Sequence, residues 1–174
     1  MPKQLKIFFE KCIGCKSCEL ACSLANEKEM NANKSRITVI SFIEGKYPLP
    51  SNIPFTCKQC ADAPCLPSCP ADAISRTKDK MKTVVIDEEQ CIGCGKCVWA
   101  CPFGAMLFDK QRKKAFKCEL CKGEPACASI CPTGAILFGQ QKWFYSKVGA
   151  LQIEGFSILS QRNTGNLRQT KLEK

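Results

Sequence analysis

The chain reads as an α+β protein in which short β-hairpins and short helices are strung between cysteine loops. Three observations carry that reading. All sixteen cysteines of the 174 residues fall into four quartets, and none is left over. The segments between quartets are short, and several alternate apolar with polar residues, the period of a half-buried strand. Only two Trp and two Tyr are present, so conventional apolar packing is thin for this length and a covalent or metal staple is expected.

The third quartet, Cys91-Ile-Gly-Cys94-Gly-Lys-Cys97-Val-Trp-Ala-Cys101-Pro102, has the spacing C-x2-C-x2-C-x3-C-P that wraps an iron–sulfur cube. Its first three cysteines share one tight loop, so their sulfurs can converge on three corners of one cluster. Cys101 has begun to turn away and faces a second. Gly93 and Gly95 allow positive φ, and Pro102 fixes the backbone beyond the loop and removes a donor. Cys12, Cys15, Cys18 and Cys22 repeat the standard spacing. Cys57, Cys60, Cys65 and Cys69 widen the middle gap to four residues, and Cys118, Cys121, Cys127 and Cys131 widen it to five. This is an internal repeat. At four thiolates per cube it implies four [4Fe–4S] clusters.

Rival uses of cysteine fare worse. A disulfide scaffold needs an oxidising compartment, and residues 1–10 show no apolar signal core, twin arginine or small-residue cleavage site, so a cytoplasmic location is expected. Zinc ribbons set two C-x2-C pairs about 15–20 residues apart, whereas here a third, closely spaced cysteine and a following Pro occur. The chain has no histidine, which removes Rieske ligation and histidine-based proton transfer. The formal net charge of +10 suggests nucleic acid until the clusters are counted. Each cube with its four thiolates carries about −2, which offsets most of the surplus. No run of about 18 apolar residues exists, so no direct membrane insertion is expected.

In chain order, Lys3 to Phe9 alternates through Leu5, Ile7 and Phe9 and predicts a strand. Glu19 to Met30 is rich in helix formers and carries Cys22; with Ser23 in place of the usual Pro, this helix is expected to run on. Arg36 to Ile43 is β-branched and alternating, a strand, and Gly45 to Pro54, with three prolines, predicts a loop that spaces and partly shields a cluster. A short helical turn should follow Pro70. Ala73–Ser75 with Thr83–Ile86, across the charged turn Lys78 to Lys82, predicts a hairpin, as does Ala105–Phe108 with Lys114–Phe116. Gly134 to Phe138 is the last strand. In the cysteine-free segment beyond, Phe144, Val148 and Leu151 predict a helix over 141–152, weakened by Gly149; Phe156, Ile158 and Leu159 punctuate a basic tail. That tail is expected to be either a partner-docking arm or a segment that packs on its own domain or stays disordered. Repeated strand pair, cluster loop and short helix is the build of bacterial two-cluster ferredoxins.

Complete quartets leave every iron with a protein ligand and none open to substrate. There is no glycine-rich nucleotide fingerprint, and no catalytic residue is assigned. The chain is expected to conduct electrons while another subunit performs chemistry. Lys16, Lys58, Lys96, Lys117 and Lys122 lie inside or beside the quartets, where positive charge would favour the reduced cluster. Asp87, Glu88 and Glu89 read as a solvated turn.

Cys-Ile-Gly-Cys, Ala-Pro-Cys65, Pro-Ala-Cys127 and the trailing Cys-Pro, over residues 5–138, resemble the four-cluster iron–sulfur subunits of the dimethyl-sulfoxide-reductase type. The compact build looks most like the small cytoplasmic members. The resemblance implies nested pairing, with the fourth cysteine exchanged between partners. One cluster would take Cys12, Cys15, Cys18 and Cys131, and its neighbour Cys118, Cys121, Cys127 and Cys22. A third would take Cys57, Cys60, Cys65 and Cys101, and the last Cys91, Cys94, Cys97 and Cys69. Spacing alone equally permits pairing of first with second and third with fourth. Nesting implies an outer ferredoxin-like unit of residues 1–35 plus 110–138, an inner unit of 36–109 with an insert at 36–56, and a tail of 139–174. The implied partner is a catalytic oxidoreductase subunit: a molybdenum or tungsten aldehyde or formate enzyme, carbon monoxide dehydrogenase or hydrogenase. A second electron carrier would complete the path. The alternatives are a free diffusible polyferredoxin, a zinc-bound interaction module, or a filament in which successive chains extend the wire.

Overall fold

A computed structural model describes residues 3–42 and 52–140; the helix expected over 141–152, the tail beyond it, residues 45–51 of the expected loop and Ile43 of the expected strand lie outside them. In each quartet, the residue just before the second cysteine takes a left-handed conformation. These residues are Gly14 (φ 72°), Gln59 (φ 50°), Gly93 (φ 70°) and Leu120 (φ 58°). A branched-chain residue such as Leu120 is uncommon there. The shared twist turns successive cysteines toward one side, which makes the repeat structural as well as sequential. Gly93 is doubly required, since a Cβ on it would lie 2.2 Å from the Lys113 carbonyl oxygen.

Helices leave these loops where the sequence permits. Helix α1 spans Ser17–Glu27 from a left-handed N-cap at Lys16. With no Pro after Cys22 it continues for five more residues, then ends as Lys28 turns left-handed and donates its N–H to Leu24 at 3.1 Å. The helix therefore begins and ends earlier than the apolar pattern implied. Helix α2, Lys96–Ala100, stops before Cys101-Pro102, and α3 is the four-residue Ala126–Ser129. The helical turn expected after Pro70 is instead part of a run of hydrogen-bonded turns through residues 63–72.

Among the described residues, all the strands pair in twos, antiparallel. Strand β1, Lys3–Ile7, pairs with β8, Ile136–Gln140, so the two ends of the cysteine-bearing region meet. Strand β1 is shorter than expected, because Phe9–Lys11 winds into a 3-10 turn. Strands β2 (Ile37–Ser41) and β3 (Asn52–Thr56) pair, with Val39 opposite Pro54. Residues 52–54 are thus strand rather than loop; proline is tolerated because a two-stranded sheet is all edge, and the missing N–H can face outward. The remaining hairpins are β4 (Ile74–Arg76) with β5 (Val84–Ile86), and β6 (Leu107–Asp109) with β7 (Lys114–Phe116).

The described residues divide into two compact units: one of residues 3–42, 52–59, 77–83 and 118–140, the other of 60–76 and 84–117. In the first, Ile37, Val39 and Ile136 pack with Cys18, Cys22 and Cys127. In the second, Ile74, Val84, Val98 and Met106 pack with Cys97, and Cys65, Cys69, Cys91 and Cys101 lie against them. Residues 36–42 and 52–56 therefore belong with the first and fourth quartets rather than with the middle two, because the apolar face of β2 covers α1. Isolated two-stranded hairpins are marginal in water, so each unit leans on its cysteine-lined centre.

Gly93→Ala should destabilise the protein far more than Gly95→Ala. The latter meets no neighbouring atom and costs only the left-handed penalty, on the order of 1 kcal/mol; the former adds a backbone clash. Urea midpoints of the iron-loaded variants measure the difference, and equal losses would contradict the assigned close approach.

Candidate metal centres

None of the sixteen cysteines is in a disulfide. The first unit contains a small, partly open pocket whose lining includes Cys12, Cys15, Cys18 and Cys131 together with Val39 and Ile136. Three of these thiols come from the first quartet and one from the fourth. Burial raises the Cys12 thiol above its ordinary value, and Cys15 and Cys131 are close enough to add to the rise. Burial, with Glu19, Cys12 and Cys15 beside it, pushes Cys18 up to about 12. Cys131 is the exception. Its burial is outweighed by N–H groups of Ile136, Thr133 and Ala135 and by the Thr133 hydroxyl, which hold it below the usual thiol range. Donors to sulfur favour the charged form.

The same unit holds a second gathering. Burial lifts Cys127 well above the thiol range, with Cys118, Cys22, Cys121 and Cys18 adding in that order. Cys118 is pushed up to about 11 by burial, with Cys57 and Cys22 among its neighbours. Cys22 is raised by burial and by Cys121, against the Arg36 N–H, which donates to its sulfur at 3.3 Å. The Asn26 amide donates to the Cys22 carbonyl at 2.8 Å and reaches Cys22 Sγ at 3.6 Å and Cys121 Sγ at 3.9 Å. One side chain thus touches thiols of the first and fourth quartets. It stands four residues from Cys22, on the same helical face, a signal the sequence carried and the cysteine pattern overshadowed.

In the second unit, burial raises Cys60, with Cys101 and Cys65 as thiol neighbours. Cys65 is raised by burial and by Cys101, while Lys117 pulls it down. Burial pushes Cys97 up to about 12, with Cys91, Cys94 and Cys69 adding to it. Here too, the neighbours of each set include one cysteine from the other quartet.

The fit to cubes is physical. Thiols raised by burial and mutual repulsion must shed protons to bind metal, and a metal core compensates the thiolate charge. A single zinc ion would draw four sulfurs to one point; a cube takes one thiolate at each iron and keeps them apart. Among the described residues no three cysteine, aspartate or glutamate side chains close on one point.

The five lysines separate sharply. Lys16, Lys96 and Lys122 are exposed and Lys58 is half-buried, but Lys117 is only 1% exposed. Asp87, Glu88 and Glu89 are exposed, and Asp87 Oδ1 accepts from the N–H groups of Glu89 at 2.9 Å and Gln90 at 3.2 Å, a solvated turn as expected. No helix of the described residues is long and apolar enough to cross a membrane.

Comparison with known proteins agrees with this chemistry. Residues 51–141 match the family described as 4Fe-4S dicluster domain, and residues 9–28 match the 4Fe-4S binding domain. The polyferredoxin-like subunit of an aliphatic sulfonate oxidoreductase from Pyrococcus furiosus is 45% identical over 93 residues, covering 53% of this chain and 50% of the relative. Escherichia coli YsaA, described as a putative electron transport protein, is 40% identical over 114 residues, 63% of this chain and 69% of that one. The formate dehydrogenase iron-sulfur subunit of Wolinella succinogenes is 36% identical over 114 residues, 63% of this chain and 55% of that subunit. The match thus spans half to about two thirds of these curated relatives' lengths. The chain belongs to the 4Fe-4S dicluster domain family.

Proposed function

We propose that this chain is an electron-transfer iron–sulfur subunit holding four [4Fe–4S] clusters in nested pairs, resembling the dimethyl-sulfoxide-reductase type. One observation carries the proposal: every cysteine lies in a quartet, and the last cysteine of a quartet stands beside thiols of another. In this reading Cys12, Cys15, Cys18 and Cys131 hold one cluster, and Cys22, Cys118, Cys121 and Cys127 a second. Cys57, Cys60, Cys65 and Cys101 hold a third, and Cys69, Cys91, Cys94 and Cys97 the fourth. Each cluster, when bound, would take up and pass on one electron. The neighbourhood of Cys127 to Cys18, and of Cys118 to Cys57, places thiols of different sets close together, which favours passage from one centre to the next.

The chain's own residues set the surroundings. Loop glycines bring backbone close, Thr133 and Asn26 donate toward sulfur, and apolar side chains such as Val39 and Ile136 exclude water. With four protein ligands per cluster, the chain has no open metal position of its own. The substrate would therefore be handled by a cytoplasmic partner, a molybdenum or tungsten oxidoreductase, carbon monoxide dehydrogenase or hydrogenase. The relatives named as oxidoreductase subunits support a bound partner over a freely diffusing polyferredoxin.

Nesting predicts which ligand losses coincide. Cys131→Ser and Cys15→Ser should remove or alter the same reduced-state electron paramagnetic resonance component, and Cys22→Ser should affect the component that Cys121→Ser affects. Coincidence of Cys22→Ser with a second-quartet substitution would overturn the pairing. Removing residues 141–174, which leaves β8 whole, should abolish copurification with a large subunit from the native host while leaving iron content unchanged; retained copurification would reject the docking role of that segment.

A further inference from the structure

Among the described residues, two charged side chains are almost completely enclosed, Glu19 at 5% and Lys117 at 1% exposure. Enclosing a charge is costly unless an opposite charge or hydrogen bonds compensate it. Their positions differ in a way that bears on the clusters. Glu19 follows Cys18 in α1, and its Oε1 accepts from the Val39 N–H at 2.6 Å. The Val39 side chain lines the pocket of Cys12, Cys15 and Cys18. Lys117 follows β7, and its Nζ donates to the Val84 carbonyl. Val84 belongs to the apolar group that contains Cys97 and against which Cys65, Cys69, Cys91 and Cys101 pack.

An added electron makes a cluster more negative, so a fixed positive charge nearby favours reduction and a fixed negative charge opposes it. Exposed lysines do this weakly because water and salt screen them; enclosed groups are screened much less. Resting on the cluster assignment above, we infer that these two enclosed charges tune the centres of their own units in opposite directions. Lys117 raises the potential of a centre in the second unit, and Glu19 lowers that of the centre at Cys12, Cys15 and Cys18.

The test is an anaerobic redox titration of the full, iron-loaded chain, with dithionite as reductant, followed by electron paramagnetic resonance and accompanied by iron counts. Lys117→Met should shift one component to lower potential and Lys117→Arg should leave it in place. Glu19→Gln should shift a different component to higher potential, and Glu19→Asp should leave it in place. Unmoved midpoints, shifts in one direction for both sites, or equal shifts in charge-keeping and neutral variants would overturn the assignment. So would loss of iron from both variants at either site, which would make that side chain's role structural. A wild-type chain without reducible iron would instead refute the cluster assignment itself, an outcome visible before any variant is compared.

Discussion

Crowding of thiols is the constraint on which the rest of this structure depends. Five of the buried apolar positions are cysteines, namely Cys18, Cys22, Cys97, Cys118 and Cys127. Burial and mutual repulsion push them up, and four reach about 11 or beyond. Such a centre is poor as a hydrophobic core and poor as a set of free thiolates. It becomes favourable when a cationic metal core replaces the protons, so ligand binding and folding are coupled. The strands around it are three to five residues long, and two-stranded pairs of that size are marginal in water by themselves.

The backbone serves that centre with one repeated device. A left-handed residue precedes the second cysteine of every quartet, whether the residue is glycine, glutamine or leucine. The geometry is thus imposed by the loop, and glycine is demanded only where another chain segment presses in, as Lys113 does on Gly93. Beyond the loops the four quartets diverge. The absence of proline after Cys22 gives α1 eleven residues, whereas α2, just before Cys101-Pro102, has five. The longer helix is what carries Asn26 across to Cys121.

The cysteine spacing and the alternating segments disclosed the hairpins and the loops to within one or two residues, because both are local signals. What stayed hidden required distant partners. Proline at 54 argued for a loop, but β2 supplies an edge on which Asn52–Thr56 can lie. The segment 36–56 was assigned to the middle quartets by its place in the chain, yet Ile37 and Val39 pack with Cys18 and Cys22. The five lysines were equivalent in sequence; only tertiary packing distinguishes the enclosed Lys117 from Lys16, Lys96 and Lys122, which remain in water. Spacing allowed two ways of pairing quartets, and the neighbourhood of Cys131 to Cys12, Cys15 and Cys18 in one pocket favours the nested way.

The basic composition also acquires a physical meaning. A formal charge of +10 set against the four proposed anionic centres, about −2 each, would leave a nearly balanced molecule. The central claim is that all sixteen thiolates are committed to inorganic cubes. Iron and acid-labile sulfide, counted per chain in anaerobically purified protein, test it most directly. The account predicts about sixteen of each; zinc in their place, or iron with no labile sulfide, would contradict it.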